Sequence, residues 1–472
     1  MYRLSNSSSN IITSFFYIFK FFTNERKNLI SYHFLCNYIR GTIVSSSTKE
    51  EWFMTIFKAR VLPNEVFNPR GDYNPQMYVN RPEYEKDFGF ALHSDLCILV
   101  HGQSGTGKTW LTRRMLEKEN IYYKIVNLAT ASTEKSIYSC FSKIMSRERW
   151  EIRGARSETK SAGINATFAN GKLETTKTYK NNIDYFMEFL KFMQYKSKDK
   201  GPKKYIVFEN MEAILDNDEL IKQLANLITL IDDEEVMRFK TKFIIIGATK
   251  DIHQYFRKVM NVNTIDNRLC ELPDVGTLTV PQAKELIERG FEKLEIKFES
   301  MAIQMECVKN YIRVTGGIPQ RVHELCLLFT EIARQSDLPV NTNQINEGIK
   351  KWIKTSLNKN YAYISRLLQQ EGNENSFKNR VLYCVAQKDV LYFTKESIDR
   401  ELEQEFPEFM KNRTTRSTKV LNELCKCTPP LLSKTEDVFG EYSFIDFKCA
   451  LCLRAILVKE GEVVYKNDTY DI

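Results

Sequence analysis

Histidine is scarce in this chain: there are five in 472 residues, scattered without ligand spacing. No Ser–His or Cys–His constellation stands out, so nothing points to a nucleophile activated by an imidazole. Long hydrophobic runs are missing too. The most apolar segment, IITSFFYIFKFF at 11–22, is too short for a bilayer and is interrupted by Lys20, so no spanning helix is expected. No small-residue cleavage site follows it, which argues against a signal peptide. There is no disulfide framework, because the eleven cysteines are spread out and several sit inside apolar runs, the usage of a reduced, cytoplasmic protein. No repeat period is visible, which sets solenoids aside. Nor does one sign of charge dominate. With 68 Lys+Arg against 60 Asp+Glu the net charge is +8, so nucleic acid is permitted as a partner but not demanded.

What is present suffices for a buried core: 43% apolar and 27% charged residues, over a length that accommodates roughly three domains. Residues 1–60 read as an extension, poorly structured or helical, with Met54 opening a more ordinary sequence. From 61 to 278, strand-like runs alternate with helical periodicity, the mark of βαβ units and a parallel sheet. The runs are CILVHG (97–102), YYKIVNL (122–128), YIVFEN (205–210) and KFIIIGAT (242–249). Between the second and third, about 149–182, Asn170-Gly171 sits between alternating residues and predicts a β-hairpin insertion. Residues 279–350 turn helical, with Gly316-Gly317 where a C-cap belongs and Pro319 opening the next helix. Residues 351–472 show helices and then a β-ribbon at LLSKTEDVFGEYSFIDF, the winged-helix pattern. The nearest thing to a metal signature is Cys425-Lys-Cys427 with Cys449 and Cys452. The last two are spaced i, i+3 within FKCALCLRAIL, and lining a helix core face is the stronger reading.

Gly102, Gln103, Ser104, Gly105, Thr106, Gly107, Lys108 and Thr109 form a complete GxxxxGK[ST] loop, followed by Trp110 at the start of a helix. A strand before it and a helix after it are the context this motif requires. The glycines let backbone N–H groups curl round phosphates, and the helix N-terminus adds partial positive charge. Lys108 is expected at the β- and γ-phosphates of ATP, and the Thr109 hydroxyl on Mg²⁺. The run YIVFENMEAIL (205–215) ends abruptly in carboxylates, which are costly to bury without a cation. In phosphate-loop folds a neighbouring strand ends in acidic residues beside the loop. Glu209 is then the second metal ligand, and Glu212, or Glu209 with the roles reversed, readies the attacking water. The alternative is that Glu209-Asn210 only caps the next helix.

With these parts in order, the chain resembles AAA+ ATPases of the origin-recognition type and the related STAND ATPases. The fold this implies is α/β: a P-loop NTPase parallel sheet of the AAA+ kind with a helical lid and a C-terminal winged-helix domain. The resemblance places Tyr78 and Arg81 near the adenine, although an ordinary surface turn explains them nearly as well. It makes Thr249 the sensor of the γ-phosphate, with Lys250 a basic candidate at the same strand end. It makes Arg268 an arginine finger reaching into a neighbour, hence a homo-oligomer, with Arg257 competing for that role. Pro319 would pack by the adenine. The lid's sensor arginine is displaced: Gln320 stands in its place and Arg321 follows, rotated by ~100° on a helix.

ATP hydrolysis is the reaction class expected, and it is expected to be slow. Two purposes fit. One is a nucleotide-driven oligomerising switch that signals to a protein effector or co-encoded partner, as in bacterial antiphage defence. The other is a DNA-engaging AAA+ ATPase of the replication-initiation or transposition-regulator kind, gripping DNA through the winged helix and the 149–182 insert. Against DNA, the helix STKVLNELCK carries Glu423 on the face opposite its core residues. A non-hydrolysing scaffold is the third possibility.

Overall fold

The computed structural model describes residues 61–151, 184–247, 252–259, 265–369, 377–388, 392–411, 417–435 and 440–470. The N-terminal extension, nearly all of the expected hairpin insertion, and Thr249 and Lys250 lie outside the described residues.

The four apolar runs become β1 (Cys97–Val100), β2 (Tyr122–Asn127), β3 (Lys204–Glu209) and β4 (Thr241–Ile246). A fifth strand, β5 (Leu269–Glu271), is three residues long, too short to show a periodicity in sequence. All pair in parallel in the order β2-β3-β4-β1-β5. Cys97 and Leu99 point into one apolar cluster with Ile206 and Phe208, while Ile98 and Val100 join Tyr205 and Val207 in the other. Helices cover both faces, so alternate residues are both buried and the strands read as continuous apolar runs. On the second face packs α1 (Pro82–His93), through Phe88, Ala91 and Leu92. The helix after the phosphate loop is α2 (Lys108–Lys118), which buries Leu111, Met115 and Leu116 there.

The strand order corrects one expectation. The carboxylate-bearing strand β3 is not the neighbour of β1, since Ile244 of β4 pairs with Ile98 on one side and Val207 on the other. Phe243, Ile244 and Ile245 are fully buried and feed both apolar faces, as a strand flanked on both sides must. Glu209 therefore reaches the loop across the end of β4.

The lid consists of α3 (Val280–Lys293), α4 (Met301–Thr315), α5 (Pro319–Ala333) and α6 (Thr342–Ser356). Thr279 and Gln282 form a capping box on α3, and Gly316 ends α4 in the left-handed region as its sequence predicts. Further on come α7 (Phe377–Gln387), β6 (Tyr392–Phe393), α8 (Lys395–Glu405), α9 (Thr418–Lys426), β7 (Leu432–Lys434) and β8 (Tyr442–Phe444). The expected ribbon is β7 and β8, and the two-residue β6 adds a third antiparallel strand, in the order β6-β8-β7. After them α10 (Lys448–Ile456) is followed by the hairpin β9 (Leu457–Glu460) and β10 (Val463–Lys466), an addition to the expected helices and ribbon. Cys449 and Cys452 lie buried on α10, in a core continuous from the lid to this last helix. Among the described residues no helix is long and apolar enough to cross a membrane.

Candidate functional site: the phosphate loop beneath the lid

At the end of β1, His101 is almost wholly buried and faces a carboxylate with each ring nitrogen. Nε2 is 2.8 Å from Glu271 Oε1, and Nδ1 is 3.2 Å from Asp274 Oδ1. This pins the start of the phosphate loop to the segment after β5. The loop then turns through Gly105 and Gly107, both left-handed, into the first turn of α2. Lys108 is 9% exposed, and its Nζ donates to the carbonyls of Gly102 (2.7 Å) and Gln103 (2.9 Å). Burial pulls its pKa down to about 8, against the opposing pull of Glu212 and Asp274.

Across the loop stands Glu209. Burial raises its pKa, while the charge of Arg113 and a hydrogen bond from Thr109 act the other way. Its Oε1 is buried and accepts no hydrogen bond. A buried carboxylate oxygen without a donor, beside a threonine hydroxyl, is the acceptor set that a small divalent cation needs, so Thr109 and Glu209 fit Mg²⁺. Asn210 is left-handed (φ 60°), and its Nδ2 donates to Asn127 Oδ1 at 3.0 Å. It makes no capping bond to the short 3₁₀ turn Met211–Ile214, so capping is not what its side chain does. Glu212, on that turn, is exposed and lines the same cleft.

The cleft has a volume of ≈ 470 Å³ and is lined by Ser104 to Trp110, Glu209, Glu212 and the lid residues Pro319 and Gln320. Its other end is aromatic and apolar. Trp110 meets Tyr73 (5.6 Å, 86°) and His323 (5.5 Å, 68°) edge to face, with Met77, Val79, Leu278 and Leu286 around them. Burial lowers the pKa of His323 to about 4, and its Nδ1 accepts the Asn68 N–H at 3.2 Å, so the neutral ring carries its proton on Nε2. Tyr78 is buried and donates from its hydroxyl to Glu85 (3.0 Å). Arg81 is 2% exposed and spends its donors on backbone: Nη1 on Thr106 O and Nη2 on Gly276 O, each at 2.8 Å. Both residues line the cleft, and Arg81 also braces the loop from behind.

Not every residue picked from the sequence arrives here. Arg321 Nη1 lies 2.8 Å from both carboxylate oxygens of Glu324 and is not among the residues lining the cleft. Arg268 pairs with Asp232 at 2.7 Å, and its carbonyl accepts the N–H of Cys97, at the end of β1 opposite the loop. Thr249 lies outside the described residues, as does the side chain of Arg257. The structure also adds residues that no motif names. Arg113 stands one turn beyond Thr109 on α2 and pairs with Asp72 at 3.2 Å. Its i+4 spacing was a usable signal, whereas Asp72 and His323 had none.

Residues 92–256 match the family described as AAA domain. No curated protein matches the chain. Among solved structures, the chain is similar to the Walker-type ATPase of Pyrococcus abyssi, at 14% identity over 82% of this chain and 99% of that one, with a TM-score of 0.45. It is similar to Cdc6p of Pyrobaculum aerophilum at 13% identity over 84% and 98%, TM-score 0.42. It is similar also to the ADP form of ORC2 of Aeropyrum pernix at 13% identity over 83% and 96%, TM-score 0.43. The matched region holds the phosphate loop, Glu209 and strands β1 to β4, and the chain therefore carries a P-loop AAA+ domain.

Proposed function

We propose that this protein binds ATP with Mg²⁺ and hydrolyses it slowly, as a nucleotide-driven switch. The observation that carries the reading is Glu209: a half-buried carboxylate whose buried Oε1 has no donor, next to Thr109 and lining the same cleft as Lys108. Thr109 and Glu209 would hold the metal, which when bound neutralises phosphate charge. Lys108 would exchange the carbonyls of Gly102 and Gln103 for phosphate oxygens. Glu212, exposed at the cleft, would take a proton from the attacking water. Thr249, which follows β4 in sequence, is proposed as the γ-phosphate sensor. The aromatic end, with Trp110, Tyr78, Arg81 and Pro319, would receive the adenine and its surroundings.

Two features support a slow rate. The lid offers Gln320 rather than an arginine to the cleft, and Arg321 is engaged by Glu324. Arg268 lies at the far end of β1, so any part it plays is in the cleft of a second copy, after leaving Asp232. That arrangement makes turnover depend on homo-oligomerisation. The effector of such a switch would be a separate protein, and the antiphage setting rests on the resemblance alone. A second reading, DNA engagement, draws support from the helices α7, α8 and α9, with the short helix Pro407–Met410 before α9, followed by the ribbon of β7 and β8, an order compatible with a winged helix. On α9 the exposed positions are Lys419, Glu423 and Lys426, a mixed face for phosphate contacts.

The test is nucleotide binding and phosphate release by the whole chain. Lys108→Ala should lose ATP, and Glu212→Gln should bind ATP but turn it over about 10²-fold or more slowly. Retention of ATP by Lys108→Ala sinks the site assignment. A steep salt dependence of duplex DNA binding would favour the second reading.

A further inference from the structure

The segment Asn68-Pro69-Arg70-Gly71-Asp72 belongs to no motif, yet every one of its residues lines the cleft. It is tied at both ends. At one end the Asn68 N–H donates to His323 Nδ1 on α5, at 3.2 Å. At the other, Asp72 Oδ1 lies 3.2 Å from Arg113 Nη1 on α2, and the charge of Arg113 acts in turn on Glu209. This strap therefore runs from the lid to the Thr109–Glu209 corner, and Arg70 is its middle residue. Arg70 is exposed and makes no hydrogen bond or ion pair among the described residues.

The other arginines on offer are occupied. Arg81 serves the carbonyls of Thr106 and Gly276, and Arg113 serves Asp72. Arg321 is held by Glu324, and Arg268 by Asp232. Among the described residues, a polyphosphate entering the cleft thus meets Lys108 and one uncommitted guanidinium. That group is planar and bidentate, matched to phosphate oxygens, and its strap is held by the Asn68 backbone on one side and the Asp72 carboxylate on the other, which lowers the cost of ordering it.

We propose that Arg70 is a phosphate-binding residue of this site, supplied by the same chain, filling the role that Gln320 leaves open on the lid. It rests on the nucleotide reading above and adds a residue to it. Arg70 closes on the phosphates from the strap side, opposite the loop, so that the nucleotide is gripped between two segments distant in sequence.

The experiment is calorimetric titration of ATP and AMP into the wild-type chain, Arg70→Ala, Arg70→Lys and Lys108→Ala. Arg70→Ala is expected to weaken ATP about 10- to 100-fold while leaving AMP within about twofold, with Arg70→Lys in between. Its exposure means the fold is not at stake. ATP affinity within about twofold of wild type in Arg70→Ala overturns the proposal, as does an equal loss for AMP, which would mark an effect on the base end. An equimolar mixture of Arg70→Ala and Lys108→Ala should not regain wild-type affinity, and regaining it overturns supply from the same chain. A wild-type chain that binds no ATP, or a Lys108→Ala chain that binds it normally, fails the nucleotide reading itself and is recognised without reference to Arg70.

Discussion

The backbone N–H of Gln320 donates to the carbonyl oxygen of Gly105 across 3.2 Å, so the first turn of α5 rests directly on the phosphate loop. Gly105 is left-handed (φ +86°), and a Cβ there would lie 2.9 Å from Gln320 Oε1 and 3.1 Å from Gln320 Cβ. Lid position and loop shape are thus one variable. A ligand that reshapes the loop moves the lid, and the lid shares a continuous core with α7 and α10.

Gly105→Ala should therefore push the lid off the loop. Strain at a left-handed position plus the contact with Gln320 is expected to cost about 1–3 kcal/mol of stability. ATP affinity should fall at the same time, by about tenfold or more. Thermal unfolding and calorimetric titration measure the two, and unchanged ATP affinity would count against coupling through this contact.

Glu209→Gln separates function from stability. Because burial raises the folded pKa of Glu209 above its unfolded value, its contribution to stability is full at low pH and is lost as pH rises through the folded pKa. At about pH 7 the metal-free protein carries the cost of that charge. The glutamine variant should then be more stable by about 1 kcal/mol at neutral pH, and hardly different near pH 4. It should also lose the stabilisation that Mg²⁺ adds to ATP. Unfolding curves at the two pH values, with and without Mg²⁺, check both halves.

Lys108 makes ATP binding a proton-linked event. Burial lowers its pKa to about 8, so above that pH the amine is largely neutral in the free protein. Phosphate oxygens favour the ammonium form, and binding at about pH 9 should take up a proton that binding at about pH 6.5 does not. Titrations in buffers of different ionisation enthalpy count that proton. An equal count at both pH values would exclude Lys108 as the group that takes it up.

Arg454 ties the lid to the last helices. It is 2% exposed; its Nε donates to Ala386 O, its Nη2 to Lys388 O at 2.7 Å, and a Cβ on Gly316 would strike its guanidinium. Arg454→Ala leaves buried carbonyls at the end of α7 without donors, at an expected cost of about 2–4 kcal/mol. Nucleotide affinity should change less than stability, as measured by denaturant unfolding beside ATP titration.

The phosphate loop was legible because its chemistry sits in contiguous residues whose backbone makes the cradle, and a strand and helix on either side are local patterns as well. The same holds for β1 to β4, whose burial on both faces writes an apolar run, and for Gly316 and Pro319 at helix ends. β5 and β6 were not legible, since three and two residues are too few to show a period. Nor was the place of β4 between β1 and β3, because strand order depends on which edges pair, not on any one strand's composition.

By itself, then, the sequence determined which residues could grip a phosphate and which of the longer segments would be strands and helices, since backbone preference and periodicity act over a few residues. Only the tertiary structure decided who faces whom. It set Asn68 against His323, 255 positions away in sequence, Asp72 against Arg113, and Arg321 against Glu324 rather than the cleft. Such pairings follow from how elements pack and which charges remain uncompensated once they do, and nothing in a local stretch encodes them.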